Sequence, residues 1–558
     1  MSETIRIAKA IDQRINIHED PVLVLSESVP SVQYNNLQVN GSASVNPSFN
    51  LSVPPQQGLS REVFMAFDIT FTITGTGLTN YGNYNAMALR AFPLNSCMSN
   101  CIINLGTNSV DMRTSLYQPL FTQWNFDSNT QKENCSSFPS APDVYANYAS
   151  AIGAANSPFE PASSNPISQY TNSSRTSQIT SITYNTAGTQ MTVAASIIEP
   201  ILVSPFTYTG IKDPKKSFFN LSNVVVNLSF SNLPRMLSWA VVPGATISSV
   251  IGNFGSQELL YEIISPYEDS LLNHVRPTTY NYTYTQIQSS GFTSGPQGFQ
   301  SSSVNSNVLN FPIIPSHFAI WAMPPPSALE NSTLSFPDIC FSLSNVNINF
   351  AQRNNLIGSN AKPIQLYNLS KKNGSNTTFS QWTGANIISS GNNPATAINY
   401  GGGCLILDCA SDLSLPKSSC VGMSYQVNFQ ITCTITNNSN IDWSTYGACQ
   451  LYVAAFTPGT CTIEYGGVIN LENGAGITKE MYDNAPALSA STDNAVRANA
   501  SANGYSGGSW SSFMNAMKPY LDPIGKALSQ KAVGAIETFG AGRMTKGKIR
   551  GMLKNHFA

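Results

Sequence analysis

Charge is what this chain has least of. Only 10% of its 558 residues are Asp, Glu, Lys or Arg, against about 25% in an ordinary soluble domain. The hydrophobic fraction of 42% and mean hydropathy of -0.09 are unremarkable, so Asn, Ser and Thr fill the gap. Their side chains compete for backbone hydrogen bonds and favour turns and strands over helices. Histidine is scarce too: His18, His274, His317 and His556 leave a His-dependent mechanism few options, and His274 and His317 lie in β-type stretches where a structural role is expected. No run of eighteen apolar residues occurs, and Met1 to Asp20 has no apolar core of the kind a secretory signal carries. Neither a membrane-spanning helix nor a signal peptide is expected.

Paired cysteine patterns are also missing. Cys97 with Cys101 and Cys404 with Cys409 lack a second pair or a nearby His, so no metal and no cofactor is expected, and the ten cysteines read as reduced, mostly buried thiols. Asn-x-Ser/Thr triplets, as at Asn40, Asn220 and Asn373, are chance products of composition. The length calls for at least two cores. A formal charge of -2 gives no whole-chain case for a nucleic-acid or membrane partner, but it conceals a split. From Lys518 to Ala558 eight basic residues face two acidic ones, a net of +6, which leaves 20 basic against 28 acidic residues in 1–517, a net of -8.

What the chain does contain is period-two alternation. Val63, Met65, Phe67, Ile69, Phe71 and Ile73 are apolar, with Asp68, Thr70 and Thr72 on the other face; Met423 to Ile435 repeats the pattern and stops at Asn437-Asn438-Ser439-Asn440. Val224 to Phe230 and Tyr280 to Tyr284 give two further strands with one buried face. In Ile339 to Phe350 the apolar phase slips by one residue near Ser344-Asn345, which predicts a β-bulge. Short helices are predicted over Ile364 to Lys372, closed by Asn373-Gly374, and around Ala141 to Ala151. There is no convincing internal repeat. Gln131 to Asn172 and Ser289 to Asn307 read as large loops.

The expected organisation is an N-terminal arm over 1–40, a first β-domain over 41–240, a second over 241–480, a small-residue linker over 481–512 and a basic, partly helical tail over 513–558. In the tail a helical stripe from Phe513 to Phe539, broken by Pro519 and Pro523, precedes Arg543, Lys546, Lys548, Arg550 and Lys554, with Thr545 placed to cap a last short helix. Those five basic residues are the candidate contacts with a membrane, a nucleic acid or a partner groove, and a solvated tail is the plainer alternative.

Catalytic chemistry finds little support. Gly504-Tyr505-Ser506-Gly507-Gly508 matches a nucleophile elbow, with Asp522 and His556 following in hydrolase order, but Ser506 sits in a Gly/Ser linker without the strand and helix that expose such a serine. The run from Gly542 to Lys548 resembles a phosphate loop, but Ile549 stands where Ser or Thr would hold magnesium. Aromatic residues (27 Phe, 23 Tyr, 6 Trp) suit strand cores better than sugar platforms. The residues alone thus point to a non-enzymatic, two-domain β-protein with large loops and a basic tail, suited to building an assembly.

Several stretches, in order, resemble the double jelly-roll major capsid proteins of Polinton-like viruses, virophages and adintoviruses. These are Trp124-Asn125, Pro139 to Tyr148, Glu199 to Phe206, Leu233-Pro234-Arg235 and Ser238-Trp239; then Glu258 to Pro266, similar to the opening of a second roll; then Asn347 to Phe350, Arg353 to Ile357, Ser380 to Gly384, Gly403 to Leu407 and Asp412-Leu413; and finally Gly542 to Lys546. The resemblance covers about 60–480 and the last twenty residues. It departs at the Ser/Asn-rich inserts and in the Cys-bearing stretch Cys97 to Cys135. It implies an all-β chain of two consecutive eight-stranded antiparallel jelly rolls. The implied function is a major capsid protein, assembling as pseudo-hexameric trimers into an icosahedral virion shell around DNA. Its implied partners are copies of itself, minor capsid and penton proteins, and packaged double-stranded DNA or an internal membrane through the tail. Two other readings stay open: a carbohydrate-binding β-sandwich protein, and a single-jelly-roll capsid protein with a projecting domain. The second calls for a strongly basic arm, whereas Arg6, Lys9 and Arg14 are balanced by Glu3, Asp12, Glu19 and Asp20.

Overall fold

The computed structural model describes residues 6–8, 23–25 and most of 31–474. Residues 125–176, 207–216, 266–277, 293–295, 389–396, 414–420 and 475–558, with scattered single positions and pairs, lie outside the described residues. Among the features expected from sequence, the helix near Ala141, the whole loop 131–172, the linker and the whole basic tail fall there.

Two β-sandwiches follow one another, every ladder antiparallel. In the first, a seven-stranded sheet is built around Phe64–Thr76, flanked by Gln190–Pro200 and Thr246–Ser265, and it faces a four-stranded sheet ordered Ser48–Ser52, Asn223–Phe230, Met98–Leu105, Asn108–Met112. Alternation dictates this layering. Val63 and the odd positions from Met65 to Ile73 are buried, and so are Val224, Val226, Leu228 and Phe230 from the opposing sheet. Phe67 joins the layers, its ring centroid 6.2 Å from Phe49 and 5.6 Å from Phe230 in edge or tilted geometry.

The second sandwich has a five-stranded sheet (Thr278–Phe292, Cys449–Ile463, His317–Met323, Leu405–Asp408 and, beside Cys449–Ile463, Ile469–Asn473) over a four-stranded one centred on Ser424–Thr436. Val427, Phe429, Ile431, Cys433 and Ile435 are all buried. The slip near Ser344-Asn345 is a β-bulge: the register of Ser342–Phe350 against Ser424–Thr436 shifts between Ser344 and Asn347, and Asn345 takes a φ of 49°. The longest described helix of this half runs Pro363–Lys372, with Pro at its first turn and Gly374 at φ 98° just past its end.

Three expectations need correction. The stretch from Glu258, read as similar to the opening of a second roll, belongs to the long strand Thr246–Ser265, which is part of the first: its Val250, Leu259 and Ile263 are buried and it pairs with Phe64–Thr76. The changeover expected at 240 therefore falls between 265 and 278. The arm boundary at 40 moves as well, because Ser31–Gln38 is a strand of the first sheet. Within the expected loop 289–307, Ser301–Asn305 is a strand paired with Thr432 to Thr436; only Val304 of its five residues is buried, so its composition looks like a loop.

Candidate functional site

The feature that turns two sandwiches into one body is the face between them. In His317–Met323, Phe318, Ile320 and Ala322 point into the second sandwich, while Ala319, Trp321 and Met323 belong to the cluster of the first. Cys449–Ile463 divides the same way, Leu451, Val453 and Ala455 inward and Tyr452, Ala454 and Phe456 outward. A strand buried on both faces loses its alternation and reads as a continuous apolar run.

Charge is concentrated where it is scarcest. Asp338 of the second sandwich lies 3.1 Å from Arg90 and 3.1 Å from Arg235, both of the first, and the Asp338 and Arg90 side chains are almost wholly buried. Burial by itself would raise the carboxyl's pKa; the two guanidiniums outweigh it and hold the pKa below the usual range. Asn232 Nδ2 donates to the Leu329 carbonyl at 3.1 Å beside them.

Trp124 forms a second lock. Its Nε1 donates to the carbonyl of Asn373 at 2.8 Å, its ring meets Phe456 edge-on at 4.5 Å, and its backbone bridges Ser375. The neighbouring Gln123 Oε1 accepts from the Cys404 amide at 2.9 Å. A third lock is Arg61, buried, donating through Nε to the Pro205 carbonyl at 2.7 Å and through Nη2 to Asn281 at 3.4 Å, with its guanidinium over Phe218 and Tyr280. The Tyr280 hydroxyl accepts from the Phe219 amide at 3.0 Å. Residues of both rolls also line a cavity of about 200 Å³, with Asn108, Asp111, Ser204, Tyr282, Tyr284 and Asn473 in its walls.

One buried acid lies off the seam. Glu199 accepts from the amides of Leu94 and Asn95 and from Asn95 Nδ2 at 2.8–3.0 Å, tying the strand end to the turn that begins at Phe92. Burial pushes its pKa up to about 7 against the pull of those three donors. Eight cysteines are described, all buried and unpaired; burial pushes the thiols of Cys97, Cys101, Cys433 and Cys461 up to about 12, which makes them packing groups, not nucleophiles. His317 has its Nε2 3.9 Å from Asp408, and burial lowers its pKa against the two nearby carboxylates. Its Nδ1 lies 3.1 Å from the hydroxyl of Ser316, which also donates to the Phe456 carbonyl at 2.8 Å. Among the described residues no His, Cys, Asp and Glu cluster could hold a metal ion.

The candidate contacts Arg543, Lys546, Lys548, Arg550 and Lys554 all lie outside the described residues. Of the seam residues, Arg90, Asp338 and Arg61 escaped the sequence reading, and Arg235 entered it only as part of a resembling stretch, with no role assigned. Their signal was a lone charge in apolar company, as in Met87-Ala88-Leu89-Arg90-Ala91-Phe92 and Leu233-Pro234-Arg235-Met236-Leu237.

Comparison with known proteins matches this arrangement half by half. The family described as Sputnik virophage major capsid protein first domain matches residues 5–272, and the family described as major capsid protein V20 C-terminal domain matches 280–459. The chain belongs to the virophage major capsid protein family. The first match ends at 272 and the second begins at 280, around the changeover of sheets between 265 and 278. A capsid protein designated V20 of Sputnik virophage is 24% identical over 489 residues, 81% of this chain and 77% of that protein. The fold is similar to that in the cryo-EM structure of Sputnik virophage (TM-score 0.70, 21% identity, 88% of this chain and 98% of that one). It is also similar to the mavirus major capsid protein (TM-score 0.64, 17% identity, 84% and 97%). The fold is a double jelly roll, and this virophage-type capsid protein is a structural component that forms the shell of the virion.

Proposed function

We propose that three copies of this chain make one capsomer, with six rolls as six near-equivalent towers, and that capsomers tile an icosahedral shell around a double-stranded DNA genome. The observation that carries this reading is the seam. Two similar sandwiches held by Asp338, Trp124 and Arg61 cannot move independently, so each chain contributes a fixed pair of towers. The charge-poor surface lets copies approach with little desolvation of charge. Weak contacts repeated over a closed shell add through effective concentration.

In this reading the segment before the first sheet clasps neighbouring capsomers. The linker 481–512 leads the tail 513–558 to the inner face, where Arg543, Lys546, Lys548, Arg550 and Lys554 suit packaged DNA, an internal membrane or a minor protein. Penton and other minor capsid proteins complete the shell, assembled in the host cell. Cryo-electron microscopy of the expressed protein tests it. Hexagonal capsomers with two towers per chain support it, and monomeric particles at every concentration would reject it. Removing 513–558 should spare trimers and impair genome retention, more so at high salt if the partner is a phosphate.

A further inference from the structure

The cavity shared by the two rolls is lined by consecutive residues, not by alternate ones. Asn108 to Met112 come from the edge strand of the first roll's small sheet, and Tyr282 to Thr285 from the outermost strand of the second roll's large sheet. Side chains alternate along a strand, so an unbroken run of neighbours means that strand edges, not faces, border the space. On its outer side Asn108–Met112 pairs with no described strand. Asn108 joins the walls of the two rolls, its Nδ2 donating to the Ile469 carbonyl, and this leaves its Oδ1 as an acceptor.

The charge of the cavity is one-sided. Asp111 is exposed, and among the described residues no cation pairs with it. Tyr282 is only 5% exposed, yet its hydroxyl bonds no described group. A buried polar group left in that state is costly. Burial, and then Tyr284, Cys461 and Asp111, push the pKa of Tyr282 up, so the phenol keeps its proton and offers its oxygen as an acceptor. Beside these polar groups the walls carry Met112, Val203 and Leu471.

A volume of about 200 Å³ is below the roughly 300–1,000 Å³ of pockets that hold drug-sized ligands, so the occupant is small. One carboxylate matches one positive charge, whereas calcium takes more oxygen ligands and magnesium a strict octahedron. A phosphate would be repelled, and the apolar wall suits methylenes better than the hydroxyls of a sugar. We propose that the cavity binds a primary alkylammonium group, its nitrogen donating to Asp111, Asn108 Oδ1 and the Tyr282 hydroxyl, its methylenes lying against Met112, Val203 and Leu471. An ammonium has three donors for these three acceptors. Two sources share that chemistry: a lysine side chain of another capsid polypeptide, and a free polyamine. Either one ties a wall of the first roll to a wall of the second, and neither depends on how many chains make a capsomer.

Calorimetric titration of the full-length protein with n-butylammonium chloride, in a buffer free of other amines, tests the site. Saturable binding that raises the melting temperature is expected. The affinity should fall about tenfold or more in Asp111→Asn, an exposed position where the change spares the fold. Tyr282→Phe, which keeps the ring packing, should weaken binding as well. Absence of saturable binding, equal affinity in Asp111→Asn, or an equal response to n-butanol or to a hexose would each overturn the proposal. In purified particles the two sources separate. Carbodiimide linkage of Asp111 to a lysine of another chain identifies a side chain; a polyamine released on denaturation, detected by mass spectrometry and missing from Asp111→Asn particles, identifies a free amine. Particles that yield neither would contradict the assignment.

Discussion

Asp338 and Arg90 come from different rolls, lie 3.1 Å apart and are both almost completely buried. With Arg235 also 3.1 Å from the same carboxylate, one acid holds two guanidiniums in a chain that has few charges to spare. Burying three charges costs desolvation energy that good geometry only about repays. The triad therefore acts through geometry: it fixes which residues of the two rolls meet.

Removing the shared acid should be severe. Asp338→Asn leaves two buried cations uncompensated and should lower stability by about 3–5 kcal/mol in urea unfolding. Replacing all three together, Arg90→Met, Arg235→Met and Asp338→Leu, should cost far less than the single change. Equal losses would show that the triad does not act as a unit.

Trp124 separates packing from hydrogen bonding. Trp124→Ala forfeits the Phe456 contact and the bond to Asn373 and should cost about 3–5 kcal/mol. Trp124→Phe keeps most of the packing and should cost about 1 kcal/mol, from the carbonyl left unpaired. Thermal unfolding of the two variants ranks them; a harmless alanine would remove Trp124 from the seam.

The pH dependence has two opposed parts. Glu199 has a folded pKa raised to about 7 from 4.5, so the folded state holds a proton that the unfolded chain has lost. Its contribution is fully present below about pH 4.5 and is lost as pH rises through 7. Asp338 is shifted downward, so its contribution is present above the ordinary aspartate range and is lost as pH falls below it. Melting scans from pH 5 to 8 should show a falling midpoint in the wild type and a flatter profile in Glu199→Gln. Parallel profiles would show that Glu199 does not titrate in this window.

The bulge at Asn345 predicts a residue-specific response. At φ 49° a β-branched side chain is strained, so Asn345→Val should cost about 1–3 kcal/mol while Asn345→Gly is close to neutral. Chemical denaturation distinguishes them.

Strands with one wet face were legible in the sequence. Phe64–Thr76, Asn223–Phe230 and Ser424–Thr436 alternate because water takes one side, and even the bulge near Asn345 left its mark as a phase slip. Strands dry on both sides were not. Cys449–Ile463, the spine of the seam, has no alternation because each face packs on a different roll. Strands wet on both sides were missed for the opposite reason, as in Ser31–Gln38, where only Asn35 and Leu37 are half-buried. Sheet membership was equally hidden, since nothing in Glu258 to Ser265 says which roll it will join. The seam's charges are long-range partners, Arg90 and Asp338 being 248 positions apart in the chain.

Native mass spectrometry of the purified full-length chain tests the central claim most directly, that one chain is a fixed pair of towers and three chains make a capsomer. The prediction is a dominant species of three times 60.0 kDa, about 180 kDa, that persists across protein concentrations and is lost in Asp338→Asn as the seam opens. A chain that stays monomeric at every concentration, or that forms dimers instead, would contradict it.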